Sequence, residues 1–192
     1  FDVEKLPTHG GSLRVFVRHA ADESKPITER VHALAHEEER QGLGTLSTYT
    51  QFQDDVDRVK RDLLAFLVDV KRRGKRVAGY GAPAKGNTLL NYCGIKRDLL
   101  EYTVDRSPHK QGLYTPGARI RVMPVETLRE TKPDYVLILP WNLKDEIIEQ
   151  TRGIKEWGGR WVVAMSQRFH QKRASIHDLD KVVAYLIRSA ME

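Results

Sequence analysis

One cysteine, Cys93, stands in a chain of 192 residues. That excludes an intramolecular disulfide and any zinc site built on several cysteines, and it fits a reducing, cytoplasmic setting. Aromatic residues make up only 8% of the chain, and no basic stripe is interleaved with them, which speaks against nucleic-acid binding. No apolar run approaches the roughly 20 residues a membrane helix needs, so no membrane partner is expected. No signal-peptide pattern is present. The chain opens on Phe1 with what reads as mid-domain strand, and a piece of a longer protein is expected. Internal repeats and low-complexity tracts are also lacking. What is present is a modest excess of positive charge, +6, with both signs interspersed. It favours an anionic partner such as a phosphorylated small molecule. The length suits one α/β domain with a smaller piece attached.

Phe1–Leu6 and Ser12–Val17 read as two short strands joined by Pro7-Thr8-His9-Gly10-Gly11. Residues 20–26 are polar and linker-like. Thr28–Gln41 reads as a helix stopped by Gly42 and Gly44. A longer helix is expected from Leu46 to Arg73. Phe52, Val56, Val59, Leu63, Phe66, Leu67 and Val70 recur at steps of three and four, with Asp55, Asp57, Arg58, Lys60 and Asp62 mostly off that stripe. Gly74 suits its C-cap. From there strands and helices alternate: strand 75–80, helix 83–92, strand 99–104, a loop to 117, strand 119–122, helix 125–130, strand 135–139, helix 142–153 and strand 160–164. Such alternation implies a mainly parallel sheet with helices on its faces. The tail 167–192 carries a helical stripe of Leu179, Val182, Val183, Leu186 and Ile187.

The most informative stretch is Val77-Ala78-Gly79-Tyr80-Gly81-Ala82-Pro83-Ala84-Lys85-Gly86-Asn87. A short apolar run ends in glycines and a helix begins at once, so backbone N–H groups and a helix N-terminus face one point that attracts anions. Pro83 fits the first helical turn, where its missing N–H costs nothing. Lys85 adds charge. The pattern is neither a strict G-x-G-x-x-G nor a Walker A loop, and a tight turn without ligand is the alternative. Ligands of open α/β sheets bind beyond the carboxyl ends of the strands. Two further segments reach that edge: Asp105 to Gly112, with His109 and Lys110, and Pro140-Trp141-Asn142. Gly79, Gly81, Lys85, Gly86, Asn87, Asp105, His109, Lys110, Trp141 and Asn142 are therefore the candidate binding residues. They suit a nucleotide diphosphate, with Asp105 for a ribose hydroxyl and Trp141 for an apolar surface.

Each has an alternative. Asp105 can cap a turn before Pro108, Asn142 can cap the next helix with Asp145, Trp141 can pack under the sheet edge, and His109 and Lys110 can be solvated. His9, flanked by glycine at a strand junction, is a candidate for proton transfer or an ordinary turn histidine. His32 and His36 lie one helical turn apart without a third ligand, and no metal site is expected.

Taken together, Leu6-Pro7-Thr8-His9-Gly10-Gly11-Ser12-Leu13-Arg14, the glycine loop Gly79 to Asn91, Val104 to Gly112, Thr115-Pro116-Gly117, Lys132-Pro133-Asp134-Tyr135 and Leu139-Pro140-Trp141-Asn142 resemble the C-terminal region of the sugar C-methyltransferases. The resemblance covers roughly Phe1 to Ala164. It implies a Rossmann-like α/β domain at 75–166, preceded by a strand pair (1–20) ending an upstream methyltransferase sheet and a helical connector (21–74), and followed by the tail. It implies an S-adenosylmethionine-dependent enzyme acting on nucleotide-linked keto-deoxysugars, the cofactor being held by an upstream domain. His9 then lies beside the chemistry and the fragment alone is inactive. The family's zinc cysteines, its adenosylmethionine-binding glycine loop and its Tyr/Glu/His proton-transfer residues are not in this sequence. The chain reads Ala164-Met165-Ser166-Gln167 where the family has a proline-containing strand. Two other functions share the anion-binding turn: a dinucleotide-dependent oxidoreductase domain and a non-catalytic nucleotide-binding module.

Overall fold

The computed structural model describes residues 1–8 and 11–164. His9 and the tail helix expected at 167–192 lie outside the described residues. The chain forms two compact units that part between Asp54 and Asp55.

In the first unit, β1 (Asp2–Leu6) and β2 (Ser12–Phe16) pair antiparallel, with Val3 opposite Val15. Helix α1 (Glu29–Arg40) is tied to β1 by polar contacts. Thr28 Oγ1 donates to Asp2 Oδ1 at 2.6 Å, Arg30 Nε to the same oxygen at 2.9 Å, and Lys5 pairs with Glu37. Leu13, Val15 and Val17, on one side of the second strand and its extension, stay exposed.

Helix α2 (Leu46–Arg72) begins in the first unit and ends in the second. The apolar stripe expected along it is realised over its later turns only. Leu63, Phe66, Leu67 and Val70 are buried, Val56 and Val59 partly so, and Phe52 is half exposed. The sheet supplies an apolar partner for the later turns alone. Asp55, expected off the stripe, is buried and pairs with Arg58 at 3.1 Å. Gly74 takes φ +67° and ends the helix, its N–H donating to Lys71 C=O and that of Lys75 to Val70 C=O.

The second unit is built on five parallel strands: β3 (Val77–Tyr80), β4 (Tyr102–Val104), β5 (Arg121–Met123), β6 (Tyr135–Ile138) and β7 (Arg160–Val162). Their spatial order is β5-β4-β3-β6-β7. Counted from β3, that is 3-2-1-4-5, the Rossmann order. This is the α/β, Rossmann-like architecture expected, with α3 (Ala84–Cys93), α4 (Thr127–Thr131) and α5 (Lys144–Gln150) in the connections.

Alternation along the strands makes two cores. Val77, Tyr135, Leu137, Leu139 and Val162 join Leu63–Val70 of α2 and Leu90 and Cys93 of α3 on one face. Ala78, Tyr80, Val136, Ile138 and Trp161 join Leu128 of α4 and Ile147 of α5 on the other. Each fully buried Leu or Val contributes about 1.5–3 kcal/mol. Along β5, the edge is blunted by the loop before it, whose Gly112 N–H donates to Val122 C=O and whose Leu113 C=O accepts from Val122 N–H.

Boundaries differ from expectation in several places. Pro83 is extended (φ −81°, ψ 160°) and is the N-cap of α3, not its first helical residue. The strand expected from Leu99 starts at Tyr102, because Leu99 and Leu100 turn back to Lys96 C=O. The single helix expected over 142–153 is a 3-10 turn (Trp141–Leu143), then α5, then a second 3-10 stretch (Arg152–Trp157). Thr151 separates the last two, its Oγ1 donating to Ile147 C=O and accepting from Trp161 Nε1–H. No helix among the described residues is long and apolar enough to cross a membrane.

Candidate functional site

The strand order reverses direction at β3. The chain moves from β3 through β4 to β5 on one side, then returns to β6 on the other. The carboxyl ends of β3 and β6 are therefore the topological switch point, where open α/β sheets bind ligands. The loop after β3 supplies Gly81, Ala82, Pro83 and the start of α3. The loop after β6 supplies Pro140, Trp141 and Asn142.

Close packing shapes the first loop. Gly81 takes φ +87°, and a Cβ there would lie 2.6 Å from Pro140 Cδ. A Cβ on Gly79 would lie 2.6 Å from Thr103 Oγ1, the hydroxyl that donates to Gly81 C=O. A Cβ on Gly86 would lie 2.8 Å from Leu139 Cβ. Gly79 lets β3 approach β4, and Gly86 lets α3 approach the end of β6. The bare sides of both glycines meet protein atoms.

Asp105, after β4, clamps the same loop. Its Oδ2 accepts from Ala82 N–H at 2.8 Å and Lys110 Nζ at 3.2 Å, and its Oδ1 from Ser107 N–H at 2.9 Å. Burial acts to raise its pKa, but the Ser107 and Ala82 N–H groups and the Lys110 ammonium outweigh it and hold the carboxyl below its ordinary value. Lys110 also donates to Ala82 C=O at 3.2 Å, so it belongs to this clamp and is not merely solvated. His109 is exposed.

Lys85 meets the loop after β6. Its Nζ donates to Asn142 Oδ1 and lies 5.1 Å from the centre of the Trp141 ring. No carboxylate pairs with it among the described residues. Burial lowers its pKa from the usual lysine value. Asn142 thus serves Lys85 and does not cap α5, which has no side-chain cap. Trp141 both packs on the second core and offers its ring to Lys85. Helix α3 has no side-chain cap either. Its first intrahelical bond runs from Asn87 N–H to Pro83 C=O at 3.0 Å, so the N–H groups of Ala84, Lys85 and Gly86 precede the helical ladder.

On the α5 side of this edge a cavity of about 420 Å3 is lined by Tyr80, Arg106, Gln111, Val125, Glu126 and Gln150. Burial raises the Tyr80 pKa, and its hydroxyl donates to Gln150 Oε1 at 3.3 Å. Arg106, one of the lining residues, pairs with Glu146 at 3.6 Å. Two buried polar atoms on the helices beside the switch point have no hydrogen-bond partner among the described residues: Asn87 Oδ1 on α3 and Lys144 Nζ on α5. Sequence reasoning did not select Tyr80, although it lies within the glycine-rich stretch, nor Lys144, which sits in no motif. Among the described residues no cluster of His, Cys, Asp or Glu can hold a metal ion.

A family model described as the C-methyltransferase C-terminal domain matches residues 7–166. The chain is also 37% identical over 166 residues to the C-methyltransferase NovU of Streptomyces niveus. That match covers 86% of this chain and 39% of the relative, so the chain spans about two fifths of the relative's length. The switch-point architecture and both similarities lead to one assignment: the chain belongs to the C-methyltransferase C-terminal domain family.

Proposed function

We propose that the chain is the nucleotide-sugar-binding part of a longer enzyme that transfers a methyl group from S-adenosylmethionine to a carbon α to a ketone of a nucleotide-linked deoxysugar. The observation that carries this reading is Lys85. It is a partly buried cation without a carboxylate partner among the described residues, held by Asn142 and Trp141 beside the uncapped N-terminus of α3. A diphosphate placed there receives backbone N–H groups, helix-dipole field and one ammonium together. The name of the NovU relative supports the methyl-transfer class.

Asp105 bears on which nucleotide the site takes. A carboxylate offers about four acceptor positions, and three protein donors already use Asp105. It does not fit the two-hydroxyl grip on an adenosine ribose. This argues against NAD at this turn, and it is consistent with S-adenosylmethionine being bound outside the described residues. The exposed row Leu13, Val15 and Val17 supports the reading of β1 and β2 as part of a larger sheet, since a two-stranded pair is marginal alone. His9 stays in the proposal through the family resemblance alone.

The test is calorimetric titration of the chain with thymidine diphosphate, with NADH as the contrasting ligand. Binding of the diphosphate and none of NADH is expected. The Lys85→Ala variant loses a charge-assisted hydrogen bond of about 1.5–3 kcal/mol, which is about 10- to 100-fold in affinity. Unchanged affinity in a folded variant makes Lys85 an ordinary helix residue and sinks the reading.

A further inference from the structure

We infer that Lys144 is a second cation of the switch-point crevice, placed to meet the diphosphate group of the bound nucleotide from the α5 wall while Lys85 meets it from the α3 wall. This rests on the reading above and adds a residue to it. Lys144 is only 7% exposed, yet its Nζ has no hydrogen-bond partner among the described residues. A buried ammonium without an acceptor is unfavourable for the folded chain, and such groups are kept paired or are used. Lys144 stands two positions after Asn142, the residue that holds Lys85. It shares the buried side of α5 with Ile147. Ile147 belongs to the same buried cluster as Tyr80 and Ile138, the last residues of β3 and β6. Lys144 is the first residue of α5, a few positions past the carboxyl end of β6, one of the two strands that define the switch point. A four-carbon stem with a compact charge is the side chain best able to turn toward an arriving anion. Asn87 Oδ1, the other such atom on the helices beside the switch point, belongs to the first turn of α3. A nucleotide sugar brings hydroxyl donors as well as anionic oxygens, so one ligand class can satisfy both.

Lys144→Met keeps the stem and removes the charge. Its expected signature has two opposite signs. The ligand-free chain melts at a higher temperature, because an unpaired buried charge is gone. Affinity for thymidine diphosphate falls about 10-fold or more, in line with loss of one charge-assisted bond. Affinity for inorganic pyrophosphate falls in the same proportion, and Lys144→Arg retains most of both. If Lys144→Met binds both ligands as the wild type does while Lys85→Ala does not, the inference fails and the reading of the site stands. A fall for thymidine diphosphate but not for pyrophosphate overturns the assignment to the diphosphate. If the wild type binds neither ligand, the site reading fails first and this inference with it. Should Lys144→Met not fold, 15Nζ spectra of the labelled wild type follow the same contact. A Lys144 signal that shifts on titration supports it, and one that stays still overturns it.

Discussion

Asp105 has two readings in the sequence, a ribose-binding acid and the cap of a turn before Pro108, and the fold shows the capping contact to Ser107 N–H. It stands 19 positions after Gly86, close to the spacing of a ribose-binding acid. In the fold its oxygens hold Ala82 N–H, Ser107 N–H and Lys110, so it fixes the loop that begins α3. Asp105→Asn keeps the shape but lacks the charge and one acceptor oxygen. At pH 7 it is expected to destabilise the chain by about 1–3 kcal/mol. The sign with pH follows from the depressed carboxyl. Its stabilising contribution is complete above the unfolded value of about 3.9 and is lost as pH falls through the lower folded value. Urea unfolding from pH 7 to pH 2 should show wild type and variant converging at the acid end. A constant gap across that range assigns the loss to packing.

At the scale of elements, α3 owes its position to Gly86 as much as to its apolar residues. Leu90 and Cys93 set it on the sheet, while Gly86 lets its first turn close onto Leu139. Gly86→Ala improves helix propensity by about 1 kcal/mol, but its Cβ would sit 2.8 Å from Leu139 Cβ. That atom is the root of a side chain fixed by the strand end, so it cannot swing aside, and overpacking costs about 1–3 kcal/mol. A net loss of about 1 kcal/mol is expected, read from the urea midpoint at constant slope. A midpoint at or above the wild-type value means that α3 shifts freely. The strands were legible because alternation and β-branched runs mark both faces of a buried sheet: Tyr135, Leu137 and Leu139 against Val136 and Ile138. The break of the last helix into three pieces was less legible, since it depends on Thr151 finding Trp161 ten residues on.

For the whole molecule, the chain of 192 residues with net charge +6 is proposed to bind its anionic substrate without turning it over. It matches 39% of its relative, and the methyl donor is proposed to bind outside the described residues. Labelled S-adenosylmethionine with a range of nucleotide keto-sugars should give no methylated product by mass spectrometry. Methylation by the purified chain overturns this division of labour. The sequence alone determined the order of elements, the parallel sheet and the family, because hydrophobic period, glycine punctuation and linked motifs are local properties that survive without coordinates. The tertiary structure alone decided what the polar residues do. It gave Asp105 and Lys110 to a loop clamp, joined Lys85 to Asn142 and Trp141 over 50 residues away, and buried Lys144 without a hydrogen-bond partner among the described residues. Those outcomes depend on which loops meet at the carboxyl ends of β3 and β6, and strand order, which brings them together, is a long-range property that no local pattern encodes.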